Sequence, residues 1–337
     1  MIFGSSQLGV DLGTVNVVVY ARGRGIVINQ PSAVAVSMPD RKLLTVGQAA
    51  REMVGRAPGS IRILHPMRDG VIADYLVTEA MLRYFIERIC GRFRLFQPEM
   101  MISVPTGVTG VERRAVRDAA LAAGCKEAGL IPEPLAAAIG ARIPISAPSG
   151  NMVVNVGGGT TEIAVISLND IVVSNSIRVG GNKIDDAISN YIRREYNLLI
   201  GDPTSEQIKI SIGSAIPMSE SIPAEVRGRD QVAGLPRTIT ITSDEITHAI
   251  SESVNSIVRG VKQVLEQTPP ELSADIINKG IVMIGGGGLL RNLDKLISNQ
   301  TGIPCTIAEQ PLMCVALGTG IALEHYEALQ SVLIPTA

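Results

Sequence analysis

Residues 151–168 read NMVVNVGGGTTEIAVISL: an apolar strand, three glycines and two threonines in a turn, then a second apolar strand. The same form occurs near the start of the chain. There Leu8–Leu12 and Val15–Tyr20 flank Gly13-Thr14, a hairpin signal. Val10–Gly13 (VDLG) and Val154–Gly157 (VNVG) share one pattern of apolar residue, Asp or Asn, apolar residue and Gly. Each enters a Gly/Thr turn with a returning strand. The repeat predicts two structurally equivalent lobes facing one cleft, and it makes Asn155 the counterpart of Asp11.

Glycine-rich turns offer inward-pointing backbone N–H groups to phosphate oxygens, because glycine permits positive φ and close approach. Gly13 and Thr14 in the first turn, and Gly157, Gly158, Gly159, Thr160 and Thr161 in the second, are the candidate phosphate ligands. Asp11 would hold a magnesium ion through its waters, since that ion keeps much of its hydration and takes few carboxylates. Two ordinary hairpins would explain either turn alone; matching contexts for both favour a phosphate clamp.

At 337 residues, the chain is long enough for two domains or one bilobal body. A hydrophobic content of 46% against 18% charged residues supplies a core and excludes general disorder. The formal net charge of −2 gives no electrostatic steering toward nucleic acid. Cys90, Cys125, Cys305 and Cys314 form no CxxC pair. With no secretory signal at the start, they are expected to be buried thiols of a reducing cytoplasm. The scattered His65, His248 and His325 argue against a zinc cluster. No apolar run reaches the ~18–20 residues of a membrane span, although surface contact with a membrane stays open.

Strands alternate with helices throughout, which makes the class α/β. Apolar residues at helical spacing predict a helix from Asp74 to about Gly91. Further helices are expected at 110–123, 134–141, 183–196, 204–213, 243–267, 289–299 and 313–328. Thr204 with Gln207, and Thr242 with Glu245, have the spacing of capping boxes. The small-residue stretch 144–150 is the expected boundary between lobe I (1–145, with 318–337 returning to it) and lobe II (146–317). Small subdomains are expected at about 29–73 and 181–242.

Two further stretches bear on chemistry. Residues 281–297, IVMIGGGGLLRNLDKLI, run from a buried strand into glycines and an expected helix N-terminus, where N–H groups and the helix dipole favour anions. Leu290 occupies the place of the last glycine of a dinucleotide motif, so a mononucleotide with a flat base or ribose against the glycines fits better. No Gly-x-x-x-x-Gly-Lys-Ser/Thr occurs, which excludes a P-loop ATPase. Glu133, opening the small-residue helix of LIPEPLAAAIGA, is either a first-turn acid complementing the dipole or a carboxylate that orients a water attacking a γ-phosphate.

GVDLGTVN, SVPTGVTGVERRAVRDAA, PEPLAAAIGA, VGGGTTEIAVISL, RVGGNKIDDAI, TSEQIKISIGSA, IGGGGLLRNLD and ALGTGIALE follow one another in an order that resembles the MreB family of bacterial actins. DnaK-type chaperones and FtsA share looser forms of these motifs. The resemblance implies an actin-like ATPase fold with four subdomains, ATP or ADP with Mg2+ in the cleft, and polymerisation into double protofilaments. It implies a cytoplasmic location on the inner face of the cell membrane, with the wall-elongation machinery, such as RodZ, as partner, and a role in rod shape. By motif, Asp11, Gly13, Thr14 and Asn16 belong to the first phosphate loop and Gly157–Thr161 to the second. Glu133 would activate water and Thr160 help position it. Glu206 and Lys209 would contact the nucleoside; read from the helix alone they are an exposed i,i+3 pair. Gly286, Gly287, Gly288 and Leu289 would form the adenosine loop.

The departure is Asn155, where the family has an Asp that helps hold the hydrated magnesium. Asn keeps the shape but adds no negative charge, which predicts surviving nucleotide binding with weakened magnesium positioning and hydrolysis. Phe93, Leu95 and Phe96, interleaved with Arg92 and Arg94, would from composition fold onto the core. The resemblance instead implies that Leu95 and Phe96 enter a membrane surface. Rival readings are a metabolic kinase of the same superfamily, for which no sugar-pocket motif is found, and a chaperone-like nucleotide switch, for which no partner domain follows.

Overall fold

In the computed structural model, which describes residues 6–92, 96–326 and 333, Gln7–Leu12 and Asn151–Val156 are the middle strands of two five-stranded sheets. Each pairs antiparallel with the next strand of the chain, Asn16–Ala21 or Thr161–Ser167, which pairs antiparallel with a third, Gly25–Pro31 or Asp170–Ile177. On its other side each pairs parallel with a strand that returns through helices, Glu99–Val104 or Ile281–Ile284. A last parallel strand, Glu127–Pro132 or Cys305–Ile307, completes each sheet. The two sheets therefore have one plan, as the VDLG/VNVG repeat predicts. Asp11 sits opposite Val18, and Asn155 sits opposite Glu162, at matching positions.

A strand in a sheet covered on both faces carries apolar side chains without alternation. All six residues of Asn151–Val156 are buried. Each lobe also has a smaller three-stranded sheet: Val34–Ser37 between Leu43–Val46 and Ile61–Leu64, and Pro223–Asp230 between Leu198–Leu199 and Pro236–Thr242.

Periodicity located the long helices. Tyr75–Cys90 buries Val77, Met81, Leu82, Phe85 and Ile86, and Asp74 caps it by accepting from the Val77 N–H at 3.2 Å. Ser243–Gln267 begins with the expected box, in which the Thr242 N–H donates to Glu245 at 2.8 Å. The second expected box is absent: the helix starts two residues before Thr204, at Asp202, with Pro203 in its first turn and no side-chain cap. Pro fits the first turn because its missing N–H would have no intrahelical partner there. The helix expected at 289–299 is also corrected. Gly287–Leu289 is one 3-10 turn, and Asn292 in the left-handed region separates it from the helix Leu293–Thr301.

Two helices, Glu133–Gly140 and Cys314–Glu324, join the halves. Their cluster takes Met101 and Ile131 from one sheet, and Val153, Ala164 and Ile284 from the other. The crossing tolerates only small residues. A Cβ on Gly140 would lie 1.7 Å from the Cys314 carbonyl oxygen, and one on Gly318 1.8 Å from that of Ala136.

Candidate functional site

The first turn is fixed by its own lobe. The Ser32 hydroxyl donates to the Gly13 carbonyl at 2.6 Å, and the Thr14 hydroxyl accepts from the Gly70 N–H at 3.0 Å. The second turn closes with the Gly157 N–H donating to the Thr160 carbonyl at 2.8 Å. The carbonyls of Gly157 and Gly158 accept from the N–H groups of Gly181 and Asn182 at 2.9 and 2.8 Å. In a trans peptide the following N–H points the opposite way, so those of Gly158 and Gly159 face away from that strap. The turns touch each other: a Cβ on Gly158 would lie 2.2 Å from Val15 Cγ2, and one on Gly159 2.6 Å from Thr14 Oγ1. Glycine is required here for close approach rather than for φ.

Beneath the turns lies a group of carboxyls. Asp11 accepts from the Ser103 hydroxyl at 3.3 Å, and burial pushes its carboxyl up to about 7. Asn155 Nδ2 donates to Glu133 Oε1 at 2.6 Å. Burial raises the Glu133 carboxyl well above the usual range; the charges of Glu162 and Asp11 add to this, and the Asn155 hydrogen bond opposes it. Glu162 is fully buried. It accepts from the Thr106 N–H at 2.9 Å, from the Thr106 hydroxyl at 2.8 Å and from the Ser176 hydroxyl. Thr106 follows a strand of the first sheet and Glu162 lies on the second, so this carboxylate ties the halves together below the cleft.

Above the turns stand Glu206 and Lys209, and they do not pair with each other. Arg51 donates to Glu206, which places an ion pair between the helix Gln48–Arg51 and the helix Asp202–Ile212. Lys209 Nζ donates to Asp185 at 2.8 Å and to the Gly181 carbonyl at 3.2 Å. Burial pushes the Asp185 carboxyl up to about 6 against the pull of Lys209. On the far wall, Gly285 has φ +84°, and a Cβ on Gly287 would lie 2.5 Å from Val156 Cγ1.

The cleft encloses about 1110 Å³. Asp11, Gly13, Thr14, Asn16, Glu133, Asn155, Gly157, Gly158, Gly159, Thr160, Glu206, Lys209, Gly286, Gly287 and Leu289 all line it. Two expected residues do not. The Thr161 hydroxyl is buried and donates at 2.7 Å to the carbonyl of Val179, just past the third strand. Gly288 is buried against Met283. Phe96 is 53% exposed and outside the cleft; Leu95 lies outside the described residues.

Sequence reasoning missed Ser32, Gly70, Ser103, Arg51, Asp185 and Glu162. Ser103 had a signal, since it is near the end of a strand leading into a Pro-Thr-Gly turn. Arg51 had none.

The profile of the family described as MreB/Mbl protein matches residues 5–331. The chain is 52% identical over 323 residues to the cell shape-determining protein Mbl of Bacillus cereus, covering 96% of this chain and 97% of that one. It is 51% identical over 325 residues to the cell shape-determining protein MreB of Escherichia coli, covering 95% and 94%. Crystal structures of MreB5 of Spiroplasma citri, one bound to ADP and one to AMPPNP, superpose with a TM-score of 0.91 at 39% identity, covering 97% of this chain and 98% of that one. The MamK double helical filament, at 21% identity and a TM-score of 0.81, shows the fold alone. With an actin-like fold and this likeness over nearly its whole length, the chain belongs to the MreB/Mbl family.

Proposed function

We propose that the chain is a nucleotide-dependent filament subunit of the cell-shape machinery: it binds ATP in the cleft, polymerises, and hydrolyses ATP slowly. The observation that carries this reading is the pair of glycine turns in contact across one cleft, with Asp11 on the first middle strand and Glu133, bonded to Asn155 of the second, beside them. The relatives named above are cell shape-determining proteins, and MreB5 binds ADP and AMPPNP.

In this reading the two turns hold phosphates through N–H groups, and the wall of Gly286, Gly287 and Leu289 takes the base. Glu206 and Lys209 meet the nucleoside. Glu133 orients the attacking water, with Thr160 beside it. The donor set fits a hydrated magnesium ion held by Asp11 and nucleotide oxygens, because that ion uses one or two carboxylates and keeps its waters. Among the described residues no group of three or more His, Cys, Asp or Glu gathers that could hold a metal by itself. When bound, the ion neutralises phosphate charge. Asn155 offers only an amide oxygen, which supports weakened hydrolysis.

Among the described residues no helix is long and apolar enough to cross a membrane. Membrane contact is assigned to Leu95 and Phe96, and the wall-elongation machinery, such as RodZ, is the expected partner. ATP-dependent sedimentation followed by electron microscopy tests the reading: ATP should pellet the chain as paired protofilaments, whereas a metabolic kinase or a chaperone-like switch would stay in the supernatant. Phosphate release should rise in Asn155→Asp; equal rates would remove the argument for weakened hydrolysis.

A further inference from the structure

The two halves of the duplicated site differ in how they hold their carboxyls. Asp11, next to last in the first middle strand, meets a hydroxyl, Ser103, at 3.3 Å. Asn155, at the equivalent place on the second, meets a carboxylate at 2.6 Å. There the amide nitrogen, Nδ2, is the donor and Glu133 Oε1 the acceptor. The amide oxygen lies on the Gly285 side: a Cβ there would be 2.5 Å from Asn155 Oδ1.

Neither backbone gives way. Asn155 is 3% exposed in a strand paired on both edges. Glu133 opens a helix in which Leu135, Ala136, Ala137 and Ala138 are buried between the two sheets. The side chains are therefore delivered to one short hydrogen bond by rigid elements.

We propose that Asn155 is a positioning residue that holds the Glu133 carboxylate from within the protein, so that this site keeps its carboxylate placed and binds a nucleotide with little dependence on a divalent cation. The proposal rests on the nucleotide reading above and adds to it. An Asp at this place would set two carboxylates at hydrogen-bond distance, and the pair would hold together only with a shared proton or a cation nearby. It would also add a negative charge to the floor under the phosphates, which a cation must offset in a partly buried cleft. Asn removes both requirements.

Two measurements on the full chain test this. The first is ADP affinity in excess magnesium and in EDTA, for the unaltered chain and Asn155→Asp. The unaltered chain should weaken by less than about threefold in EDTA and the variant by more than about tenfold. Equal losses in the two chains would overturn the proposal. The second needs no nucleotide: melting of the ligand-free chain in EDTA. Asn155→Asp should lower the melting temperature by about 2–4 °C. The double variant Asn155→Asp with Glu133→Gln, in which the amide and the carboxylate trade places, should regain most of that loss. A double variant no more stable than Asn155→Asp would refute the direct link. A chain that binds no ADP even in magnesium would sink the nucleotide reading, while the melting series would still decide the Asn155–Glu133 bond.

Discussion

Gly140→Ala should separate the two helices that join the lobes. A methyl there would sit 1.7 Å from the Cys314 carbonyl oxygen, 2.6 Å from its carbonyl carbon and 2.9 Å from the Gly318 N, all backbone. Real Cβ atoms essentially never come within 3.0 Å of such atoms, so the helices must part by more than 1 Å. No rotamer relieves this, because alanine has none and the opposing atoms belong to a helix. Parting the helices by that distance forfeits a quarter to a half of each dispersion contact along the crossing. The affected side chains, Ala136, Ala137, Val315 and Ala322, are almost wholly buried. Overpacking of this kind costs about 3 kcal/mol. For a chain of this length that lowers the melting temperature by roughly 5 °C or more. Because the cluster takes residues from both sheets, the angle between the lobes should shift as well. Polymer mass in ATP sedimentation should therefore fall further than nucleotide affinity does. A Gly140→Ala chain melting within about 1 °C of the unaltered protein and pelleting equally well would refute the packing argument.

Other expectations are more local. Arg51→Ala removes an ion pair across the mouth of the cleft whose side chains are 35% and 27% exposed. A half-solvated pair of that kind is worth about 0.5–1 kcal/mol, so nucleotide should leave about two- to fivefold faster by stopped flow; an unchanged off-rate would show that the pair does not gate the occupied cleft. The carboxyl of Asp11 is pushed up to about 7 by burial, so the folded chain takes up a proton that the unfolded chain, with an ordinary carboxylate near 4, releases. Its contribution to stability is full below pH 4 and lost as pH rises through 7. The ligand-free protein should melt at a lower temperature at pH 8 than at pH 6, and Asp11→Asn should reduce that difference; a slope unaltered in the variant would count against it. Replacing Leu95 and Phe96 by Ser should cut liposome pelleting of filaments, since each buried side chain would add about 1.5–3 kcal/mol and filaments multiply the contact. Undiminished pelleting would place the membrane contact elsewhere.

The repeat of VDLG and VNVG was enough to read the duplicated sheets, because strand pairing follows from apolar runs and glycine turns that are local in sequence. Most of the cleft was legible for the same reason: fifteen of the expected residues line it. What failed was of two kinds. Thr161 and Gly288 stand beside true lining residues, but a strand turns alternate side chains to opposite faces and the 3-10 turn rotates Gly288 inward. A motif names the stretch without saying which way each side chain points. Arg51 and Glu162 were missed because their meaning is a partner far along the chain, at residues 206 and 106. Hydrophobic periodicity carries no trace of such pairings. The Thr204–Gln207 box failed because Asp202-Pro203 offered an earlier helix start with equally good first-turn chemistry.

Duplication sets the frame of this site and the connections give it asymmetry. Both middle strands end in the same turn, so a single rule places Asp11 and Asn155. The strand beside Asp11 ends at Ser103 and Val104 and continues into the loop of Thr106, which reaches across to Glu162. The strand beside Asn155 ends at Ile284 and continues into Gly285, a residue with no side chain to offer. Asn155 therefore has no hydroxyl beside it of the kind Asp11 has, and its amide meets the carboxylate of the helix that joins the lobes. A hydroxyl tolerates an ionised neighbour; a second carboxylate does not. The side chain at 155 is thus under a constraint that position 11 escapes. It must either share a cation or proton with Glu133, or be a donor itself, and in this chain it is the donor.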